Sequence, residues 1–311
     1  MLKYFQTQVA LGSAISLVLV TSMNQSAVDE IFRKLWLTIF EFEQRFSRFL
    51  PDSELTRFNR SAGTKQPVSQ EFRSLLIVAK MMAQKSEGLY NPFVLPALQR
   101  AGYVHSMVSA HRQDVVDNYA DRSVVDWSML DIGDDWASIP YGTAIDLGGC
   151  GKGYAGDLLA DLADFSGDIT GYWFSLGGDI VARGYDEAGQ PWVIGVEDIV
   201  HQQKIIGTCS TSGTRRYAVA TSSITRRKGK QNGKDWHHII DPLTGKPSET
   251  DILAASISAS DSLTADVIAS CVIIAGSDRA LSYIQDKAVE GVLIQTTEHD
   301  VVEWGNLKLT R

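Results

Sequence analysis

Asp146 and Lys152 stand among closely spaced glycines in Ala144-Ile145-Asp146-Leu147-Gly148-Gly149-Cys150-Gly151-Lys152-Gly153-Tyr154-Ala155-Gly156-Asp157. Glycines let a backbone approach a ligand closely, because no Cβ intervenes. A lysine opening a helix adds a cation to N–H groups that already favour anions. The segment suits a phosphate-bearing ligand, although a tight turn that merely needs glycine would look the same. It is neither a G-x-x-x-x-G-K-[ST] loop nor a G-x-G-x-x-G fingerprint, so the standard nucleotide folds are not indicated. Asp266 and Ser270 share one face of an apolar helical stretch at i, i+4. An acid buried there needs a partner. A hard cation such as Mg²⁺, which takes oxygen ligands, would supply one; a capping role for Asp266 is the alternative. His237 and His238 precede an Ile-Ile-Asp-Pro turn, and in an extended segment only one of the two can face a given site. Thr221-Ser222-Ser223, followed by Arg226 and Arg227, offers hydroxyls and cations to phosphate oxygens, or is simply a loop.

The elements that must position these groups are interleaved strands and helices. An apolar run over residues 9–20 after Met1-Leu2-Lys3 invites a signal-peptide reading, but Gly12, Ser13 and Ser16 interrupt it and the alternation over 15–20 predicts a first strand. Asn24-Gln25-Ser26 forms an N-cap region. Val28, Ile31, Phe32, Leu35, Trp36, Ile39, Phe42 and Phe46 then recur at helical spacing. Residues 47–59 read as a loop or bent segment. A second helix spans 69–85, with Phe72, Leu75, Ile77, Val78, Met81 and Met82 inward. Tyr90-Asn91-Pro92 begins an extended stretch. Short strands surround an Asp-rich turn within 127–139. A helix follows over 152–165, strands over 173–176, 193–196, 218–221 and 252–257, helices over 263–276 and 277–285, and a closing hairpin over 292–304. Without a strict βαβ rhythm, the fold class is α+β.

The 311 residues are 44% hydrophobic and 21% charged, enough for a sizeable core. The net charge of −8 argues against general nucleic-acid binding. Arg226-Arg227-Lys228-Gly229-Lys230 is either a solvated loop or one that meets an anionic ligand. Cys150, Cys209 and Cys271 are too few and too widely spaced for a disulfide framework or a structural zinc site. No run reaches the roughly 18 apolar residues of a membrane span, and the expected location is cytoplasmic.

Taken in order, the segments resemble the FAD:protein FMN transferase family, the ApbE-like flavin transferases. The family's "fSrf.pdSeLsrfN" corresponds to residues 46–59, its "DLGgiaKGya.D" to 146–157, and its "vnlGGdi.arG" to 174–184. Its "aTSg…R…hHIiDP.TG.p" corresponds to 220–247 and its "aDalaTa" to 265–271. The resemblance implies a mixed sheet–helix, T-fold-like ApbE architecture forming one domain over 1–311, with two lobes compatible. It implies FAD as donor, Mg²⁺, and transfer of FMN to a Thr or Ser hydroxyl of an acceptor protein with release of AMP. An FAD-binding protein without transfer, and an FAD pyrophosphatase, are the competing readings. By motif position the metal ligands would be the Gly149 carbonyl, the Asp266 carboxylate and the Ser270 hydroxyl. Asp146 and Lys152 would contact FAD, while Leu11, Phe49, Leu89, Tyr90, Asn91 and Ile240 would line its pocket. His238 matches the family's functionally important histidine, and His238 or Asp266 would serve as base. The chain departs from the pattern at Phe49 (usually Tyr), Asn91 (Asp), Phe93 (Thr), Ser223 (Gly), Ser270 (Thr) and Gly149 (commonly Ala).

Overall fold

The computed structural model describes residues 1–106, 123–201, 203–211, 213–231 and 233–310. Its main sheet holds eight strands, each antiparallel to its neighbours and placed in chain order. They are β1 (Leu2–Ala10), β2 (Ser13–Thr21), β3 (Ile169–Leu176), β4 (Asp179–Gly184), β5 (Tyr217–Ser223), β6 (Ile252–Ala259), β7 (Val289–Thr296) and β8 (Val301–Gly305). The first is a strand that the alternation over 15–20 did not reveal. It pairs with β2 through a two-residue turn in which Leu11 (φ 53°) and Gly12 (φ 63°) are both left-handed, the geometry that matches the natural twist of a hairpin.

Helices cover one face of this sheet. α1 (Gln25–Phe46) is capped by the Asn24 side chain, which accepts from Ala27 N at 3.0 Å, and it buries the eight residues that the periodicity selects. α5 (Gly151–Phe165) and α6 (Ser262–Ala275) pack on each other and on the central strands, and α7 (Ser277–Tyr283) follows α6. Ile15, Leu17 and Leu19 of β2, Ala218 and Ala220 of β5, and Val292 and Ile294 of β7 join these helices in the main core. The alternate residues Tyr217, Val219 and Leu293 meet a smaller cluster on the opposite face. That cluster belongs to a three-stranded sheet built from Val193–Glu197, Ile205–Ser210 and Lys308–Leu309.

Three segments differ from expectation. Within residues 47–59, read as a loop or bent segment, α2 (Glu54–Arg60) begins: Ser53 caps Thr56 N at 3.0 Å, and Leu55 and Phe58 turn inward. In α3 (Gln70–Lys85) the buried stripe is Phe72, Leu75, Leu76, Ala79, Met82 and Ala83, whereas Ile77 and Met81 are exposed. Small alanines complete the face, so a count of large apolar residues misplaces its phase. The stretch after Asn91 is a 3₁₀ turn (Pro92–Val94) running into α4 (Leu95–Ala101), not an extended segment. The Asn91 side chain accepts from Phe93 N at 3.0 Å and Pro92 presets φ, and together they start the turn. The three cysteines are free and buried. Among the described residues no helix is long and apolar enough to cross a membrane.

Candidate active site

The glycines of the 146–157 segment serve contact between α5 and α6 as much as they serve a turn. None of Gly148, Gly149, Gly151, Gly153 or Gly156 has a positive φ. A Cβ at Gly153 would lie 2.6 Å from Ser262 O, 2.7 Å from Leu263 Cα and 2.9 Å from Asp266 Cβ; one at Gly156 would lie 2.9 Å from Ser262 Oγ. The missing side chains therefore let α6 approach the first turn of α5. Asp157 reinforces the contact by accepting from Ser262 N (2.8 Å) and Leu263 N (3.0 Å). The cap of α6 is Asp261, whose side chain accepts from Thr264 N at 2.7 Å. Asp266 stands in the second turn and is free of the capping role.

From this contact a closed ring of polar links runs through four elements. Gly153 N donates to Asp266 Oδ2 at 2.9 Å. One turn along α6, Ser270 Oγ lies 2.7 Å from Ser222 Oγ on β5. The neighbouring Thr221 N donates to Asp179 Oδ1 at 3.2 Å. Asp179, at the start of β4, pairs through Oδ2 with the Lys152 ammonium, which returns the ring to α5. Asp266 and Asp179 are 5% and 3% exposed, so each carboxylate depends on these partners. Burial pushes the Asp266 carboxyl up to about 7 against the pull of Lys152, with Asp179 adding to the rise. Burial disfavours the Lys152 charge, but Asp179 and Asp266 more than offset it and raise its pKa. An acid this buried, beside a hydroxyl at i, i+4, fits a hard cation held through oxygen donors. Among the described residues no three His, Cys, Asp or Glu side chains cluster into a cage. Oxygen donors of this kind suit a hard cation that keeps waters and phosphate oxygens, as Mg²⁺ does. Gly149 lies one turn before Gly153. The Tyr90 ring packs against it, with Tyr90 Cε2 3.2 Å from where a Cβ would stand.

Tyr90 is buried and its hydroxyl lies 3.0 Å from Cys150 Sγ. Burial, then Cys150 and the Asp146 and Asp266 charges, raise its pKa, so the ring stays neutral beside both acids. Asp146 is committed on both oxygens: Oδ1 accepts from Gly148 N at 2.8 Å and Oδ2 from Arg48 Nε at 2.7 Å. Asn59 fixes the same loop by exchanging two 2.9 Å hydrogen bonds with the Ile145 backbone. The Arg48 guanidinium lies against both Phe49 (4.1 Å to the ring centroid) and Tyr103 (4.6 Å), whose rings meet edge-on. Tyr103 also stacks on Trp236 and meets His238 edge-on at 6.2 Å. Ile240 is buried in this cluster with Ala97 and Leu98. Leu11 and Leu89 are half-buried against the main core.

Of the adjacent histidines, His237 turns away, its Nε2 3.1 Å from Ser248 O. His238 faces the cluster with a buried Nδ1 that has no partner among the described residues. Burial, then the charges of Arg227, His237 and Lys152, lower its pKa to about 3. Arg227 belongs to the basic segment that the sequence leaves open between a solvated loop and an anion contact. Its charge reaches His238, Lys152 and Asp266.

The structure thus brings together Lys152, Asp266 and Ser270, with Tyr90 and Asp146 beside them and His238 within reach of the Lys152 charge. The altered residues are absorbed by the fold. Asn91 caps Phe93 and donates to Val125 O at 2.9 Å, and Phe93 is a core side chain. Sequence reasoning missed Arg48, Tyr103 and Asp179 as members of the site, and it offered Ser222 to phosphate oxygens rather than to Ser270. Asp179 had a signal, since it ends the Gly177-Gly178 turn of the β3–β4 hairpin. Arg48 and Tyr103 had none, because they meet across a separation of 55 positions in the chain.

The fold and site define an antiparallel-sheet α+β protein in which a buried lysine–carboxylate network joins the start of one helix to a second helix and the sheet. The family model named ApbE family matches residues 11–293, and the chain belongs to that family. The FAD:protein FMN transferase of Vibrio cholerae is 27% identical over 274 residues, covering 86% of this chain and 79% of that protein. The enzyme of the same name from Escherichia coli is 24% identical, covering 87% and 78%. Among solved structures, the ApbE protein of Thermotoga maritima superposes with a TM-score of 0.83 at 23% identity, covering 97% of this chain and 96% of that one. The flavin transferase ApbE of Vibrio cholerae gives 0.76 at 25%, covering 98% and 97%.

Proposed function

We propose that this protein is an Mg²⁺-dependent FAD:protein FMN transferase that attaches FMN to a Thr or Ser hydroxyl of an acceptor protein and releases AMP. The observation that carries this reading is the meeting of Lys152, Asp266 and Ser270 at the junction of α5, α6 and β5, with His238 within reach of the Lys152 charge. FAD would be held through Lys152 and Arg227 at the phosphates, with the Phe49, Tyr103 and Ile240 surface available to its rings. The Asp266 carboxylate, the Ser270 hydroxyl and the Gly149 carbonyl would hold Mg²⁺. When bound, the cation neutralises charge on a pyrophosphate and on its leaving group.

The chain's own residues supply the rest. Lys152 offers a fixed cation at the opening of α5, adding to the helix N-terminus. His238 is neutral at working pH, so its ring nitrogen can accept the proton of an incoming hydroxyl. Its basicity is suppressed partly by Arg227 and Lys152. An anionic substrate that neutralises those cations raises the histidine toward a useful pKa. Asp146 orders the loop through Gly148 and Arg48, and each of its oxygens keeps acceptor capacity for a donor on FAD.

The test is incubation with FAD and Mg²⁺, with and without a flavin-acceptor protein, following AMP release and covalent flavin fluorescence. AMP only with acceptor, together with a fluorescent acceptor, supports transfer. AMP without acceptor selects the pyrophosphatase reading, and bound FAD with no AMP selects a passive flavin-binding protein.

A further inference from the structure

Ser222 occupies β5 between two tethered neighbours. Thr221 N is held by Asp179, and Ser223 Oγ lies 2.7 Å from Thr225 Oγ1. Strand register fixes Ser222 opposite Ala255 of β6. Its hydroxyl therefore meets Ser270 from a backbone that cannot slide. A serine oxygen that gives a lone pair to a cation must direct its own proton elsewhere. Ser270 Oγ, with Ser222 Oγ 2.7 Å away, has an acceptor in place for that proton. The Gly153 N–H does the corresponding work at Asp266, fixing Oδ2 so that the carboxylate has one orientation. Outer partners of this kind orient metal ligands and tune their affinity.

We infer that Ser222 is a positioning residue for the cation site: it accepts the Ser270 hydroxyl proton and thereby aims the Ser270 oxygen at the bound cation. The inference rests on the reading of Asp266 and Ser270 as Mg²⁺ ligands given above. In this role Ser222 acts through Ser270.

The experiment is calorimetric titration of the full chain with MgCl₂ alone, with the melting temperature recorded for each variant. Ser222→Ala is expected to weaken Mg²⁺ binding about tenfold. Ser222→Thr keeps the acceptor and restores binding to within about threefold of the wild type. Ser222→Cys keeps the volume but offers a poor acceptor, so it reproduces the loss and stands in if the alanine variant folds badly. In a Ser270→Ala background, Ser222→Ala adds no further loss, because the two hydroxyls act as one unit. Undiminished Mg²⁺ affinity in Ser222→Ala, or a loss that adds fully to that of Ser270→Ala, overturns the role of Ser222 alone. A wild type that binds no Mg²⁺, or a Ser270→Ala variant that binds as the wild type does, overturns the cation reading and this inference with it.

Discussion

His238 and Asp266 are displaced in opposite senses by one cause, burial beside unequal charges. His238 falls to about 3 and Asp266 rises to about 7. His238→Asn should lower the rate of AMP release by about 10²–10⁴, the range for losing a general base, while FAD binding measured by flavin fluorescence changes little; an unaltered rate removes His238 from the mechanism. For Asp266 the folded pKa lies above the ordinary 3.8. Between about pH 4 and 7 the native state therefore holds the extra proton, and raising the pH through this window costs stability. A cation that pairs with the ionised carboxylate cancels that cost. The Mg²⁺-induced rise in melting temperature should accordingly be larger at pH 8 than at pH 6. Equal shifts at both values would remove Asp266 from the cation site. At this scale the sequence showed Lys152, Asp266, Ser270 and His238 through their motifs. It hid Arg48, Tyr103 and Asp179, and the Ser270 partner of Ser222, because these meetings join positions distant along the chain. It also gave no sign that Gly153 and Gly156 leave room for α6.

The α5–α6 contact is the element on which the site depends. Gly153→Ala places a Cβ against the Ser262 and Leu263 backbone, which cannot rotate away as a flexible side chain could. Overpacking of this kind costs about 1–3 kcal/mol. The variant should melt lower and lose Mg²⁺ affinity together, whereas a stable variant with normal affinity would show that the helices can separate harmlessly. Asp261→Ala, which removes the α6 cap, should cost about 1 kcal/mol by chemical denaturation and leave the site otherwise intact. Most elements were legible because periodicity reports burial: the eight inward residues of α1 are those its spacing selects. α2, α4 and the phase of α3 were not. Short helices set by a cap carry little periodicity, and a face completed by Ala79 and Ala83 does not stand out as apolar.

Across the whole molecule, the in-order meander explains how motifs from residue 46 to residue 271 reach one place. Each hairpin returns the chain to the same sheet, and α5 and α6 are long connections that fold back over it. The main core draws on β1 through β7 and on six of the seven helices, α4 excepted. We therefore propose that the chain folds as one domain. Far-ultraviolet and near-ultraviolet circular dichroism should trace one coincident denaturation curve, and two separated transitions would instead reveal two lobes. The α+β class was readable from the absence of a βαβ rhythm, but the sheet order was not, since pairing between distant strands leaves no local pattern. The central claim is tested most directly by mixing the protein with FAD, Mg²⁺ and a flavin-acceptor protein and measuring AMP together with covalent flavin on the acceptor. Equimolar AMP and acceptor-bound FMN, both abolished by Asp266→Ala, is the predicted result. AMP formed at the same rate without acceptor, or transfer undiminished in Asp266→Ala, would contradict it.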